Sequence, residues 1–515
     1  MDNANQNTPS QYQQPPIQPI NLIKPAFPMG KKEFLFGLFL LVTGWLLCNS
    51  LFYAGMNLGF AIFAGIAIIC SASYLLLSGC KPTVYSLILL GCSLVIAASF
   101  ARSDDGFVKF VMFCFLLVSA NLGLCLLSGQ NRFSPKGLLS VADLFQTALI
   151  LAPDHLSPCF RGMRDGIRKS GTAGKKGGAV FLGLLIAVPL LAILIPLLIS
   201  ADAAFEALLK KLPDWNLFEL VCSVITGSML AFYLFTRGTA LRHTTQKVAA
   251  EKERKGMNPL TINTVLCCVA LVYVVYLVSQ LAYFSGGFSG ILPKGYSMAA
   301  YARRGFFEMA WLCAINLGII ALAIGLVSGK NKAPLFTKLI CLFVGIITLF
   351  FVVSASAKMF QYIGSFGLTR LRVLTEVIMV WLGLTTTVVC IWLFVPKLPY
   401  MKFVLVMALV MGAAVAWADV DTVVARYNVT AYQSGKLETI DMDHLGSLGN
   451  GAIPYIAQLK EDSDPDVAEN AKNLLRFYYG EDYYRTEPCL IEDFRDWNYV
   501  NHKAESFILF LGNMW

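Results

Sequence analysis

Tyr301-Ala-Arg-Arg-Gly-Phe-Phe-Glu308 opens onto an apolar run over residues 305–327, and this junction of charge and hydrocarbon decides the fold class. A helix needs about 20 predominantly apolar residues to cross about 30 Å of hydrocarbon. Lipid offers no water to the peptide groups, so a run of this length must satisfy them within a helix. A second stretch, Gly367-Leu-Thr-Arg-Leu-Arg-Val-Leu-Thr-Glu376, stands in the same way before the run 373–395. Working outward, eleven windows qualify: 34–52, 56–77, 84–101, 107–127, 178–199, 217–237, 262–284, 305–327, 334–354, 373–395 and 401–418. The expected fold is all-α, a polytopic transmembrane helical bundle of about 11 spans followed by a small α-helical C-terminal domain.

Composition agrees with this reading. The chain is 57% apolar and only 14% charged, outside the soluble globular range. Its charge is divided along the chain: residues 419–515 carry 17 Asp/Glu against 8 Lys/Arg, whereas the remainder holds 33 Lys/Arg against 15 Asp/Glu. The basic residues lie in short loops between apolar runs, where they flank membrane spans, so nucleic-acid binding is excluded as their purpose. With the N-terminus inside, the inner segments hold 22 Lys/Arg and the short outer loops nine. The chain is thus expected in a bacterial cytoplasmic membrane with the acidic C-terminal domain outside, since long acidic domains escape the penalty on exported basic loops.

Five regions follow. Residues 1–30 are Gln/Asn/Pro-rich and read as a disordered cytoplasmic leader with no cleavable signal. Residues 31–130 hold the N-terminal transmembrane helices. Residues 131–177 form a basic cytoplasmic loop, with an interfacial helix over 134–151 and a basic segment over 161–176 suited to anionic lipid headgroups. Residues 178–418 are the core bundle, preceding the acidic domain 419–515; within the bundle, the amphipathic stretch 201–212 reads as a helix on the outer surface. In the tail, Asp441–Leu448, Ala452–Leu459 and Pro465–Tyr479 read as three short helices resembling one HEAT-type unit. One such unit cannot bury its own face and needs the membrane part, the aromatic-rich 480–515 or a protein partner to cover it. Gly55-x-x-x-Gly59 and Ala321-x-x-x-Gly325 would allow close helix approach.

Catalytic signatures are sparse. The 14 cysteines sit mostly in apolar runs without a CxxC pair and read as small hydrophobes. The four histidines lack metal-ligand spacing, Gly171-Thr-Ala-Gly-Lys-Lys-Gly-Gly lacks the Walker pattern, and there is no GxSxG, so neither cofactor nor metal is expected. Asp104 and Asp105 read as a solvated turn, with the acidic pair of an envelope transferase as the alternative. Lys109 sits near a span end and is expected to snorkel to the surface.

Charges at lipid depth are costly and mark the better candidates. Arg304 and Glu308 are one helical turn apart, as are Arg372 and Glu376, so each couple shares a face. Arg before Glu is the weaker order within a helix, which favours pairing between helices. The candidate structural or ligand cluster is Tyr301, Arg303, Arg304, Glu308, Asn316, Arg370, Arg372 and Glu376; it either ties the bundle together or binds an anion such as a lipid phosphate.

Tyr301-Ala-Arg-Arg-Gly-Phe-Phe-Glu308 with Asn316, then Tyr362-x-x-x-Phe-Gly-Leu-Thr-Arg-Leu-Arg372, resemble two signatures of an uncharacterised family of bacterial multi-pass membrane proteins, DUF4173, with DUF4153 as its near relative. Ala425-Arg-Tyr-Asn428 and Asp493-x-x-x-Trp497-Asn-Tyr499 resemble its tail motifs. The resemblance covers roughly residues 180–515 and implies a polytopic helical fold without implying an activity. The function expected is a non-enzymatic envelope sensor, scaffold or partner-binding module. A carrier or flippase for an amphiphilic anion is the alternative, and an envelope transferase the second.

Overall fold

The computed structural model describes residues 25–131, 140–169, 217–244, 256–287, 298–327, 333–479 and 494–512, with isolated positions between 190 and 198. Most of the expected span 178–199 and all of the expected surface helix 201–212 lie outside the described residues, as does most of the expected leader.

Every regular element among the described residues is helical. The first group is α1 (Lys31–Tyr53), α2 (Leu58–Leu77), α3 (Val84–Ser99) and α4 (Gly106–Ser128). Then come α5 (Ser140–Phe145), a π-helical turn (Gln146–Ile150), α6 (Leu151–Asp154) and α7 (Leu156–Lys169). The long helices α8 (Leu217–His243), α9 (Pro259–Gly287), α10 (Met298–Val327), α11 (Leu335–Phe366), α12 (Arg370–Phe394) and α13 (Tyr400–Ala418) follow. The tail contributes α14 (Val420–Gln433), α15 (Met442–Gly446), α16 (Ile453–Ile456), α17 (Pro465–Tyr479) and α18 (Tyr499–Gly512).

Nine of these helices are long and apolar enough to cross a membrane. The window 84–101 becomes α3, apolar but only 16 residues long, or about 24 Å. The helices turn large apolar side chains outward: Trp311 is 71% exposed, with Val353 and Phe360 similarly bare. A water-soluble bundle would bury these groups, whereas lipid solvates them. The protein is a polytopic helical membrane protein.

The buried side chains form three cores. The first joins α1–α4 with α8 and α13, around Leu40, Leu89, Ile96, Phe100, Leu241 and Leu409. The second joins α9–α12, around Leu266, Ile320, Val344, Phe351 and Met379. The helices of residues 178–418 are therefore divided between two cores. At the α1–α8 crossing, a Cβ on Gly44 would stand 2.7 Å from the Gly227 carbonyl oxygen, so backbone packs on backbone there. Of the two small-residue patterns, Gly59 sits under the backbone of Arg495, whereas the added Cβ at Gly325 meets nothing within 4 Å.

The segment 140–154 is more than a surface helix. Thr147, Leu151 and Ala152 are buried, while Phe145, Leu149 and Ile150 remain exposed. The wider π turn frees carbonyls from the helical ladder. The carbonyl of Thr147 accepts from Arg237 Nε at 3.2 Å, and that of Ala148 accepts from the Tyr233 hydroxyl. Arg237 also donates to Asn121 O at 3.3 Å, which satisfies a guanidinium only 5% exposed within α8.

The third core belongs to the tail, with Val424, Ala425, Leu445, Ile456, Leu459 and Ala471 at its centre. The three expected short helices are present, and Asp441 caps α15 by accepting from His444 N at 2.8 Å. Their covering surface includes α14 and α18. The tail rests on one face of the helical body: Leu58 N donates to Trp497 O (3.0 Å), Tyr499 N to Ala101 O (2.9 Å) and Leu368 N to Asn428 Oδ1 (2.7 Å). The α1–α2, α3–α4 and α11–α12 connections thus share the tail face.

Candidate functional site

On the tail face the two membrane cores and the tail converge on Arg370. This residue begins α12, whose N-cap, Thr369, accepts from Arg372 N at 3.3 Å. Arg370 donates through Nε to Asp421 Oδ1 (2.7 Å) and through Nη2 to Asp421 Oδ2 (2.6 Å), a bidentate pair. Its Nε also lies 2.9 Å from Asp105 Oδ2. One guanidinium therefore joins α12, the α3–α4 loop and α14.

Backbone groups hold Asp105, and a neighbouring hydroxyl holds Asp419. Asp105 caps α4, its Oδ1 accepting from Phe107 N (2.8 Å) and Val108 N (3.2 Å), so its other oxygen points at Arg370. Asp419 occupies the break between α13 and α14 at φ +53°, a left-handed conformation that Asp and Asn enter more readily than other side chains. Its carboxylate accepts from the Thr422 hydroxyl. Burial pushes the Asp419 carboxyl up to about 6, and the neighbouring Asp421 adds to this, while Thr422 and Arg102 oppose it. Burial also raises Asp421, although Arg370 holds it back.

Asp104, Asp105, Arg370, Asp419 and Asp421 line a cleft of about 170 Å³ floored by Gly449–Gly451. Gly451 must be small, because an added Cβ would stand 2.7 Å from Thr422 Oγ1. A second cleft of about 240 Å³ lies beside it, lined by Arg102, Arg426, Tyr455, Tyr499 and Lys503. Among the described residues no three His, Cys, Asp or Glu side chains are placed to hold a metal ion.

A polar seam continues from the first cleft toward α1 and α2. Lys109 Nζ donates to Asn57 Oδ1 at 2.7 Å and lies 3.5 Å from Asp104 Oδ1, so this lysine turns inward instead of snorkelling. Asn498, fully buried, reaches Asn57 (3.3 Å) and Asp104 (3.4 Å) and accepts from Asn501 N (2.8 Å). Arg495 donates to Asn49 and lies 3.6 Å from Glu219.

The expected Arg–Glu cross-pairing falls partly outside the described residues, and the residues singled out in the sequence are placed as follows. Tyr301, Arg303 and Arg304 lie in the first turns of α10, with side chains outside the described residues. Glu308 is within electrostatic reach of Lys358 on α11. Asn316 Nδ2 donates to Thr348 Oγ1 (3.0 Å) and its Oδ1 accepts from the Tyr273 hydroxyl, so it bonds across helices. Arg372 donates to the carbonyls of Phe366 and Gly367, with its guanidinium 4.1 Å over the Tyr362 ring. Glu376 faces Ser356, and its Oε1 is buried without a hydrogen-bond partner. Among the described residues, Arg370 alone of the eight lines either cleft. Of its aspartate partners, Asp105 stood in the sequence as half of an acidic turn, and the signal for Asp421 was Asp419-Val-Asp421 directly after the last span.

The quoted tail motifs meet this region. Asn428 accepts from Leu368 N (2.7 Å) and donates to Leu368 O (2.8 Å), pinning the α11–α12 loop with its amide. Gly367 has φ +73°, and an added Cβ there would stand 2.6 Å from Asn428 Oδ1.

A helical body spanning a membrane, with its C-terminal domain seated on an acidic cleft, defines the class. Residues 84–459 match the family model of DUF4153, described as a domain of unknown function, and the chain belongs to that family. The near relative in the sequence comparison, and not DUF4173, is thus the family shown. No curated protein and no solved structure matches.

Proposed function

We propose that this membrane protein is a non-enzymatic sensor module in which the tail receives a signal and the two helix bundles respond. The observation that carries the reading is the placement of Arg370: one guanidinium contacts Asp421 of the tail and Asp105 beside the first bundle, from a helix of the second. Anything that moves the tail in this cleft changes contacts to both bundles at once. In this reading the tail face is extracytoplasmic, following the Lys/Arg imbalance of the loops. The arginines of α7 (Arg161, Arg164 and Arg168) anchor the opposite face to anionic headgroups. The test is a distance measurement in nanodiscs between fluorescent unnatural residues replacing Lys81 and Leu335, one beside each bundle. Arg370→Gln should shift or broaden the distance distribution; an unchanged distribution would overturn the reading.

The cleft also favours an envelope transferase as a second reading, because Asp419 in its half-protonated range near pH 6 suits proton transfer beside Asp104 and Asp105. That reading requires turnover lost in Asp419→Asn with ligand binding retained.

A further inference from the structure

The two clefts are neighbours of opposite charge. They share Asp419, Asn450, Gly451 and Val500 as a common wall. On one side stand Asp104, Asp105, Asp419 and Asp421 against a single guanidinium, that of Arg370, which is committed to Asp421 and Asp105. On the other side stand Arg102, Arg426 and Lys503; among the described residues no carboxylate is in ion-pair contact with them, and Asp419 is the one acid lining that cleft. Arg102 is fixed there by stacking 3.9 Å over the Tyr499 ring and by donating from Nε to Trp417 O at 3.1 Å. Lys503 lies 6.0 Å from the centre of the Tyr455 ring.

From this juxtaposition we infer a binding site for a zwitterion in which an ammonium group is joined by a short link to a phosphate. The phosphate sits in the larger cleft, where guanidinium groups match its oxygens in bidentate fashion and Lys503 adds a point charge. The ammonium crosses the shared wall to Asp419 and Asp104. An ammonium carries three N–H donors and suits these acceptors, whereas a quaternary trimethylammonium has none to offer. A simple anion would fill the basic cleft and leave the acidic one empty, and a simple cation the reverse. The clefts open where the apolar helix α13 ends at Ala418, next to the half-exposed Trp417; Trp and Tyr are the side chains enriched at membrane interfaces. A phosphoethanolamine lipid headgroup and its free soluble form share the required chemistry.

This inference rests on the sensor reading only in supplying its signal, and it is tested separately. Native mass spectrometry of the full chain would measure adducts with phosphatidylethanolamine, phosphatidylcholine and phosphatidylglycerol, and calorimetry would titrate free glycerophosphoethanolamine. The expected result is preference for the ethanolamine lipid, reduced at least tenfold by Arg426→Gln combined with Lys503→Gln. Both residues are exposed, so an unchanged melting temperature separates lost binding from lost folding. Binding of glycerophosphoethanolamine alone assigns the site to a soluble zwitterion; binding of the lipid alone assigns it to a membrane headgroup. Equal adducts with all three lipids, or ethanolamine binding unaffected by the double variant, would overturn the site. Failure here with the Arg370→Gln distance change intact leaves the sensor reading standing without this ligand; the converse leaves the site standing without the coupling.

Discussion

Arg370 grips Asp421 through two parallel hydrogen bonds of 2.7 and 2.6 Å while its Nε stands 2.9 Å from Asp105. Removing the guanidinium leaves two carboxylates facing each other with their compensation gone. Breaking a buried pair costs about 3–5 kcal/mol, and the partial exposure of Arg370 reduces this to about 2 kcal/mol. Arg370→Gln should therefore lower the detergent melting temperature by several degrees. Adding Asp421→Asn should recover part of the loss, giving a positive coupling in a double-mutant cycle.

Asn428 uses both ends of its amide on one residue, Leu368. Asn428→Asp keeps the acceptor but turns an oxygen toward the Leu368 carbonyl. The expected loss is about 1–3 kcal/mol, the cost of an unsatisfied buried group. Gly367→Ala should be comparably harmful, because its φ of +73° and the 2.6 Å approach to Asn428 both oppose a methyl group. Chemical denaturation of the two variants checks this.

Asp419 yields a pH prediction whose sign runs opposite to the usual carboxylate. Its folded pKa of about 6 lies above the ordinary value of 3.8, so the folded state binds the proton more tightly. Its contribution to stability falls as pH rises from about 4 to about 6 and stays unfavourable above that window. Asp419→Asn, which keeps an acceptor for Thr422 and tolerates the left-handed backbone, should stabilise the protein by up to ~3 kcal/mol at pH 7.5 and have little effect at pH 4. The charges facing it are Arg102, Asp104 and Asp421, with Arg370 and Asp105 beyond them; the comparison keeps Arg370 intact, because Arg370 holds the Asp421 carboxyl down. Melting curves at the two pH values decide the point.

In the second bundle, Asn316 bridges Tyr273 and Thr348 among apolar residues. Interhelical hydrogen bonds in membranes contribute about 0.6–2 kcal/mol. Tyr273→Phe should cost about 1 kcal/mol and Asn316→Leu more, since the latter strands the Tyr273 hydroxyl, removes the amide donor to Thr348 and brings a different shape. Thermal unfolding in a fixed detergent measures both.

How much of this was legible in the sequence depended on the range of the interaction. Spans announce themselves because the bilayer imposes a length and a polarity on each helix separately. The tail helices were equally readable, with Asp441 at its cap and apolar residues at helical spacing. Arg370 and Asn316 stood out because a polar group at lipid depth needs a reason. Their partners were another matter. Nothing in the local pattern links Arg370 to Asp105, 265 positions earlier in number, or Asn498 to Asn57, and Asp105 alone reads as turn chemistry. The Arg–Glu spacing has the same limit: one-turn separation places two residues on a face but leaves open what that face meets. Arg372 found carbonyls and an aromatic ring at its own helix end, and Lys109 found Asn57 nearer than the surface.

The central claim is that Arg370 couples the tail to both bundles. Hydrogen–deuterium exchange of the full chain in nanodiscs tests it most directly, comparing wild type with Arg370→Gln. The account predicts faster exchange in the variant at α14, at the start of α12 and at the α3–α4 loop together. Exchange altered at only one of these segments, or at none, would contradict it.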